Sequence, residues 1–290
     1  MSSIDRMPGR AGHRGALLVL AYPSVMLGIF LVLPFCILIA LSFYYRVPGG
    51  TYEPAFVLDN FTNLAKAFFI NNTVHTLSVA GTVAVLAVAL AFPFTYRLTR
   101  LPRRKQIPWL IFVLGVLALS EVIIGFSWSV LLSRTAGVSN IPVWLGLMER
   151  PMSFTPSGTA MLLGLTYLAF PYTVLVLYPP LSRLDPSLAE AARTMGASPL
   201  RAFFTVIVPV SRPAILAALI MVFVFTLGAY VIPQVLGRPQ HWTLAVHITD
   251  QALARANVPM AAAMSLALLA ASLLLIAVTA AVGKSRRAAP

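Results

Sequence analysis

Eight Asp and Glu, four His and one Cys are the only acid–base, nucleophilic or metal-ligating groups of these types in 290 residues. Their spacing forms no pair of catalytic carboxylates, no nucleophile–base set and no metal-ligand cluster. Cys36 stands alone inside an apolar run, which excludes an internal disulfide and a cysteine-based metal centre, and it reads as a small apolar packer. Gly283-Lys284-Ser285 has the look of the end of a phosphate-binding loop, but Val278 stands where that loop needs its first glycine. The segment also leaves a long apolar run rather than a strand, so it reads as a basic membrane exit and the chain is expected to bind no ATP itself. His241, Trp242, His247 and Asp250 gather in one stretch that reads as a solvated outer loop. Glu121, preceded by Ser120, is the one charge between residues 106 and 133. A charge at a bilayer centre costs on the order of 3 kcal/mol on insertion scales, so Glu121 is expected to face a helix bundle or a water-filled path. Two readings stand: a pathway carboxylate that attracts a cationic solute, or a structural carboxylate held by a neighbouring Ser, Tyr or Arg.

The elements that position these residues follow from composition. The chain is 59% hydrophobic and 10% charged, too few charges to cover a soluble globule of this size. Most of it must therefore face lipid. Six stretches carry at most one charge and each exceeds the roughly 20 residues a helix needs to cross the hydrocarbon core. The expected fold is all-α and integral to the membrane, with spans near 17–43, 74–96, 108–132, 158–180, 213–233 and 260–282 in a single domain. The net charge of +13 reports topology rather than nucleic-acid binding, because no aromatic–basic interleaving accompanies it. With the N-terminus in the cytoplasm, 15 of the 21 Lys and Arg fall on the inner side, and the even number of spans puts both termini there. The 31 uncharged residues 15–45 are too long for a signal-peptide core and read as a retained anchor helix.

The connection between the fourth and fifth spans, about 183–212, is too long for a turn and too patterned for a loose loop. Asp185-Pro186 is a helix start, and Leu188, Ala191, Ala192 and Met195 follow at helical spacing. Gly196 ends that helix where a positive φ is often needed. Ser198-Pro199 starts a second helix with Leu200, Phe203, Phe204 and Ile207 as its apolar side, and Pro209 is expected to stop it. From these residues alone the pair could also be an interfacial helix pair lying among the headgroups.

The run Glu190-Ala191-Ala192-Arg193-Thr194-Met195-Gly196-Ala197-Ser198-Pro199, continued to Ile207-Val208-Pro209, closely resembles the EAA motif of binding-protein-dependent ABC importer permeases. The Glu-Ala-Ala triplet, the Gly four residues after the second Ala, and the apolar residue two before a Pro all match, at Glu190, Ala191, Ala192, Gly196, Ile207 and Pro209. The flanking Leu181–Leu188 and Leu227–Pro233 stretches, the latter with Tyr230, look like spermidine/putrescine-type permeases, and the resemblance covers about residues 15–280. Ser120-Glu121-Val122-Ile123-Ile124-Gly125 resembles the acidic stretch of the other permease of such heterodimers, so the chain carries features of both halves. The resemblance implies a MetI-like fold with six spans and a coupling helix that docks on a cytoplasmic ATPase. It implies half of a solute channel for polyamine-like solutes in a bacterial inner membrane. Implied partners are a second permease, identical or homologous, two ATPase subunits that hold the ATP and Mg, and an extracytoplasmic solute-binding protein. Ser120, Glu121 and Tyr230 are then candidates for the translocation path. The alternative is an ATPase-independent secondary transporter, for which the two halves of the chain offer no evident inverted repeat.

Overall fold

A computed structural model describes residues 11–47, 49, 52–134, 137–146 and 153–285. Arg6, Arg10, Arg150, Arg286 and Arg287, counted above for topology, lie outside the described residues, as do the side chains of Arg14 and Lys284. The apolar runs become helices because that is the one open-ended element whose backbone groups are all satisfied within itself in lipid. Helix α1 (Ala11–Ser42) leads to a short α2 (Asp59–Leu64) and the long α3 (Ala67–Thr99). Then come α4 (Arg103–Leu117), α5 (Glu121–Leu131), a short α6 (Ile141–Trp144) and α7 (Gly158–Ser182). The segment after α7 holds α8 (Ser187–Thr194), α9 (Pro199–Ala202) and α10 (Val208–Val210), the last two joined by a π-helical turn at Phe203–Ile207. Helix α11 (Arg212–Leu227), the short α12 (Val231–Leu236) and α13 (Leu244–Thr249), and finally α14 (Val258–Ser285) complete the order. Among the described residues extended pairing is limited to one isolated bridge, Tyr45 with Glu53.

Four helices are individually long and apolar enough to cross a membrane, and two bent pairs raise the number to as many as six if each pair is one span. Two expectations are corrected. The span expected at 108–132 is two helices, α4 and α5, which meet at 93° across residues 118–120. Ser120 there takes extended dihedrals (φ −62°, ψ 135°), as an N-cap does, so a new helix starts instead of the old one continuing. The span expected at 213–233 ends at Leu227, and residues 228–230 separate α11 from α12.

Helices α3, α7 and α11 pack against one another and carry the core. One buried cluster includes Val83, Ala87, Leu165, Ala169, Val222, Ile232 and Leu236; a second, toward the α7–α11 connection, includes Phe92, Val174, Leu177, Leu181, Ile207 and Ala218. Five buried threonines enter this apolar interior by donating to the carbonyl four residues back: Thr76 to Asn72, Thr95 to Ala91, Thr166 to Leu162, Thr173 to Ala169 and Thr226 to Val222. Each hydroxyl is thereby satisfied where no water reaches. Among the described residues helix α1 packs chiefly along α14, and none of its most apolar 18-residue window is buried in this chain. A face of that kind needs lipid or another membrane helix.

Candidate functional site: the segment between α7 and α11

The segment expected to do the coupling folds as two short helices about an elbow. Oδ1 of Asp185 accepts from the backbone N–H of Ser187 at 2.9 Å, and α8 begins at that residue. Hydrogen bonds from Ser187 hold the Asp185 carboxyl below its ordinary range, and the charge of Arg100 adds to that. The other end of α8 closes as a Schellman motif. The N–H of Ala197 donates to the Ala192 carbonyl (3.0 Å) and that of Gly196 to Arg193 (2.9 Å), with Gly196 at φ +88°. Only glycine takes that conformation without steric cost, so the elbow depends on residue 196. Oγ of Ser198 then accepts from the Arg201 N–H at 3.3 Å and Pro199 opens α9.

Pro209 does not stop the second helix. It lies within α10, and its missing N–H is met upstream by a widened turn in which the Val208 N–H reaches Phe203. The stop comes at Ser211, where α11 starts afresh with Pro213 in its first turn and turns by 73°.

The apolar residues of the segment divide between two faces. Ala192, Ala202 and Ile207 are buried, and Leu184, Ala189 and Phe203 pack on the second core cluster. Leu188, Met195, Leu200 and Phe204 point outward, with Met195 82% exposed and Leu200 72%. Glu190 and Ala191 share the exposed side with them. So the expected single apolar stripe of α8 is two: a small-residue stripe seats the helix, and large side chains are presented away from the bundle. An exposed apolar patch rimmed by Glu190, Arg193 and Arg201 has the composition of a protein-docking surface.

Glu121 sits elsewhere, in the first turn of α5 beside the 93° break. It lines a cavity of about 140 Å³ with Val116, Leu117, Leu168, Tyr172 and Phe225, and its Oε1 is buried without a hydrogen-bond partner. The Tyr172 and Phe225 rings, both lining this cavity, lie 4.6 Å apart. Ser120 is exposed and makes no capping bond. Tyr230 lines a different cavity, of about 360 Å³, with Leu227, Thr249, Ser265 and Ser272. The structure therefore brings Ser120 and Glu121 together by sequence alone and leaves Tyr230 apart. In α13, burial lowers the pKa of His247, which meets the rings of Phe68 and Trp242. The His–Asp group holds one ion pair, Asp250 with Arg255 at 2.8 Å, and no metal-binding cluster occurs among the described residues.

A family model described as the binding-protein-dependent transport system inner membrane component matches residues 4–288. The chain belongs to this family. The permease is 30% identical over 243 residues to the spermidine/putrescine transport system permease protein PotB of Escherichia coli, covering 83% of this chain and 87% of that one. The PotB of Haemophilus influenzae is 26% identical, with 85% and 86% covered. The molybdenum transport system permease protein ModB of H. influenzae is 30% identical over 162 residues, 54% of this chain and 69% of that one. The fold is that of a bacterial ABC transporter involved in import of the acidic polysaccharide alginate. The TM-score there is 0.69 at 19% identity, with 96% and 98% of the two chains covered. The permease is thus a multi-pass inner-membrane subunit of an ABC importer.

Sequence reasoning used Arg100 only as one basic residue among the inner-side charges. In the permease its Nη1 donates to the Leu184 carbonyl at 3.2 Å, and its guanidinium lies 5.0 Å from the Tyr96 ring centre. The available signal was the spacing of Phe92, Tyr96 and Arg100, four residues apart and so on one side of α3. Tyr172 and Phe225 were also missed beside Glu121, because they come from two other helices.

Proposed function

We propose that this permease forms half of the membrane channel of an importer for small cationic, polyamine-like solutes. A second permease, identical or related, supplies the other half. Two cytoplasmic ATPases bind the ATP and Mg, and an extracytoplasmic binding protein delivers the solute. Both termini and residues 183–212 face the cytoplasm. In this reading Glu190, Ala191, Ala192, Gly196, Ile207 and Pro209 belong to the unit that meets the ATPase. Ile207 and Ala192 root the unit in the core, while Gly196 sets the angle between its two helices.

The observation that carries the reading is the two-faced segment itself. Its elbow is fixed by a Schellman motif at Gly196, and Leu188, Met195, Leu200 and Phe204 are held away from the bundle. Apolar side chains of this size on a rigid, charged-rimmed projection fit a protein groove better than open water. The cationic class rests on Glu121, whose unpartnered carboxylate oxygen shares a cavity with two aromatic rings. The name of the relatives that the chain matches over most of its length supports the same class. Affinity purification of the tagged permease from its native membrane tests the assembly. An ATPase subunit should co-purify in equal proportion to permease subunits, and recovery of a transporting permease with no ATPase would overturn the reading.

A further inference from the structure

The last turns of α3 hold both arms of the coupling segment along one side. Phe92 and Tyr96 place their rings 5.6 and 5.5 Å from that of Phe203, on the arm that leaves the elbow. One turn further, Arg100 holds the entering arm through the Leu184 carbonyl, one residue before Asp185. Yet only Nη1 of the guanidinium is used in this way. Nε and Nη2 are buried without an acceptor. The Tyr96 ring lies against the guanidinium but replaces no hydrogen-bond acceptor, so Nε and Nη2 have lost water without a new acceptor, and a nearby acceptor that moves toward them is drawn in. The Asp185 carboxylate belongs to the residue next to the one already held. It is exposed at the start of α8, and it is not ion-paired with Arg100, since the one ion pair among the described residues is Asp250 with Arg255.

We infer that Arg100 is a positioning residue that ties the coupling segment to the membrane core. Its second partner is the Asp185 carboxylate, engaged when the segment moves relative to α3 during transport. In the state described here the guanidinium grips the backbone of the entering arm. In the other state Nε and Nη2 close on the carboxylate in the side-on, two-bond manner that suits this pair of groups. The arm thus stays attached to α3 in both states and movement at the ATPase is passed to the core. This inference rests on the reading of 183–212 as the coupling segment.

Asp185→Asn separates the two roles of that side chain, because Asn keeps the oxygen that accepts from the Ser187 N–H and loses the charge. In the full complex reconstituted with its binding protein, Asp185→Asn should leave assembly and basal ATP hydrolysis in place. Solute taken up per ATP should fall about tenfold or more, on the scale of ordinary coupling energies. Arg100→Gln should do the same, the double variant should be no worse than either single one, and Asp185→Glu should restore most of the uptake. A normal uptake-to-ATP ratio in Asp185→Asn would overturn the inference. If Arg100→Gln does not assemble, the Asn and Glu variants at 185 decide the matter alone. Glu190→Ala serves as the reference: loss of coupling there with normal 185 and 100 variants sinks the Arg100 inference only. Normal coupling in all of them sinks the coupling reading beneath it.

Discussion

Glu121 is placed where a carboxylate is costly to keep and easy to use. It begins α5 beside a sharp break, with one oxygen buried and unpartnered and the Tyr172 and Phe225 rings across a small cavity. A structural carboxylate would be expected to have its oxygens hydrogen-bonded, and the Ser120 side chain does not serve that purpose as a cap. The arrangement instead suits a cation that brings its own donors and lies against aromatic faces. Glu121→Gln keeps size and most hydrogen-bonding capacity and removes the charge. The variant should assemble normally, with uptake of a diamine or triamine lower and its half-saturating concentration higher, by about tenfold for one lost charge-assisted contact. Uptake kinetics in liposomes check this, and wild-type values would leave Glu121 a structural role. The carboxylate was legible in the sequence as the single charge in its stretch. Its aromatic neighbours were not, because they reach it from α7 and α11 through tertiary packing.

At the scale of elements, the segment between α7 and α11 was the most legible part of the chain because its signals are local. Asp185-Pro186, Gly196 and Ser198-Pro199 each act within a few residues through a cap, a positive φ or a fixed φ. The partition of its apolar residues into a seated and a presented face was not legible, since it depends on where α3 and α7 lie. The break between α4 and α5 had a weak local signal, Ser120 followed by an acidic first turn, hidden inside an apolar run long enough for one span. The Pro209 stop failed for a different reason: a π turn absorbed the missing donor and moved the bend to Ser211. Gly196 offers the sharpest test at this scale. An L-residue at φ +88° costs about 1–2 kcal/mol, and a β-branched one more, so Gly196→Val should reopen the elbow. Gly196→Asn, which tolerates left-handed backbone, should do much less harm. ATP-driven uptake should be lost in the Val variant and largely kept in the Asn variant, with solute binding to the binding protein unchanged in both. Equal uptake by the two would remove the elbow from the account.

At the scale of the whole molecule, three packed helices, α3, α7 and α11, carry the core, and α1 lies along α14 with its other faces outward. The all-helical class and the apolar runs were plain from composition, while the number of straight spans was not, because four helices are long enough alone and the other candidate spans are bent pairs. The charge distribution fixes an expected orientation: residue 103 inside and residue 145 outside, given the 15-to-6 split of basic residues. Reporter fusions at those two positions should report opposite sides, and the same side at both would refute the six-span arrangement. The central claim, that this chain conducts solute only when an ATPase drives it, is tested most directly by uptake into liposomes. The complex is reconstituted with its binding protein loaded with labelled putrescine or spermidine. Label should accumulate only with hydrolysable ATP and Mg, and an imposed ion gradient without ATP should move none. Accumulation driven by the gradient alone, at a rate matching that with ATP, would contradict the account.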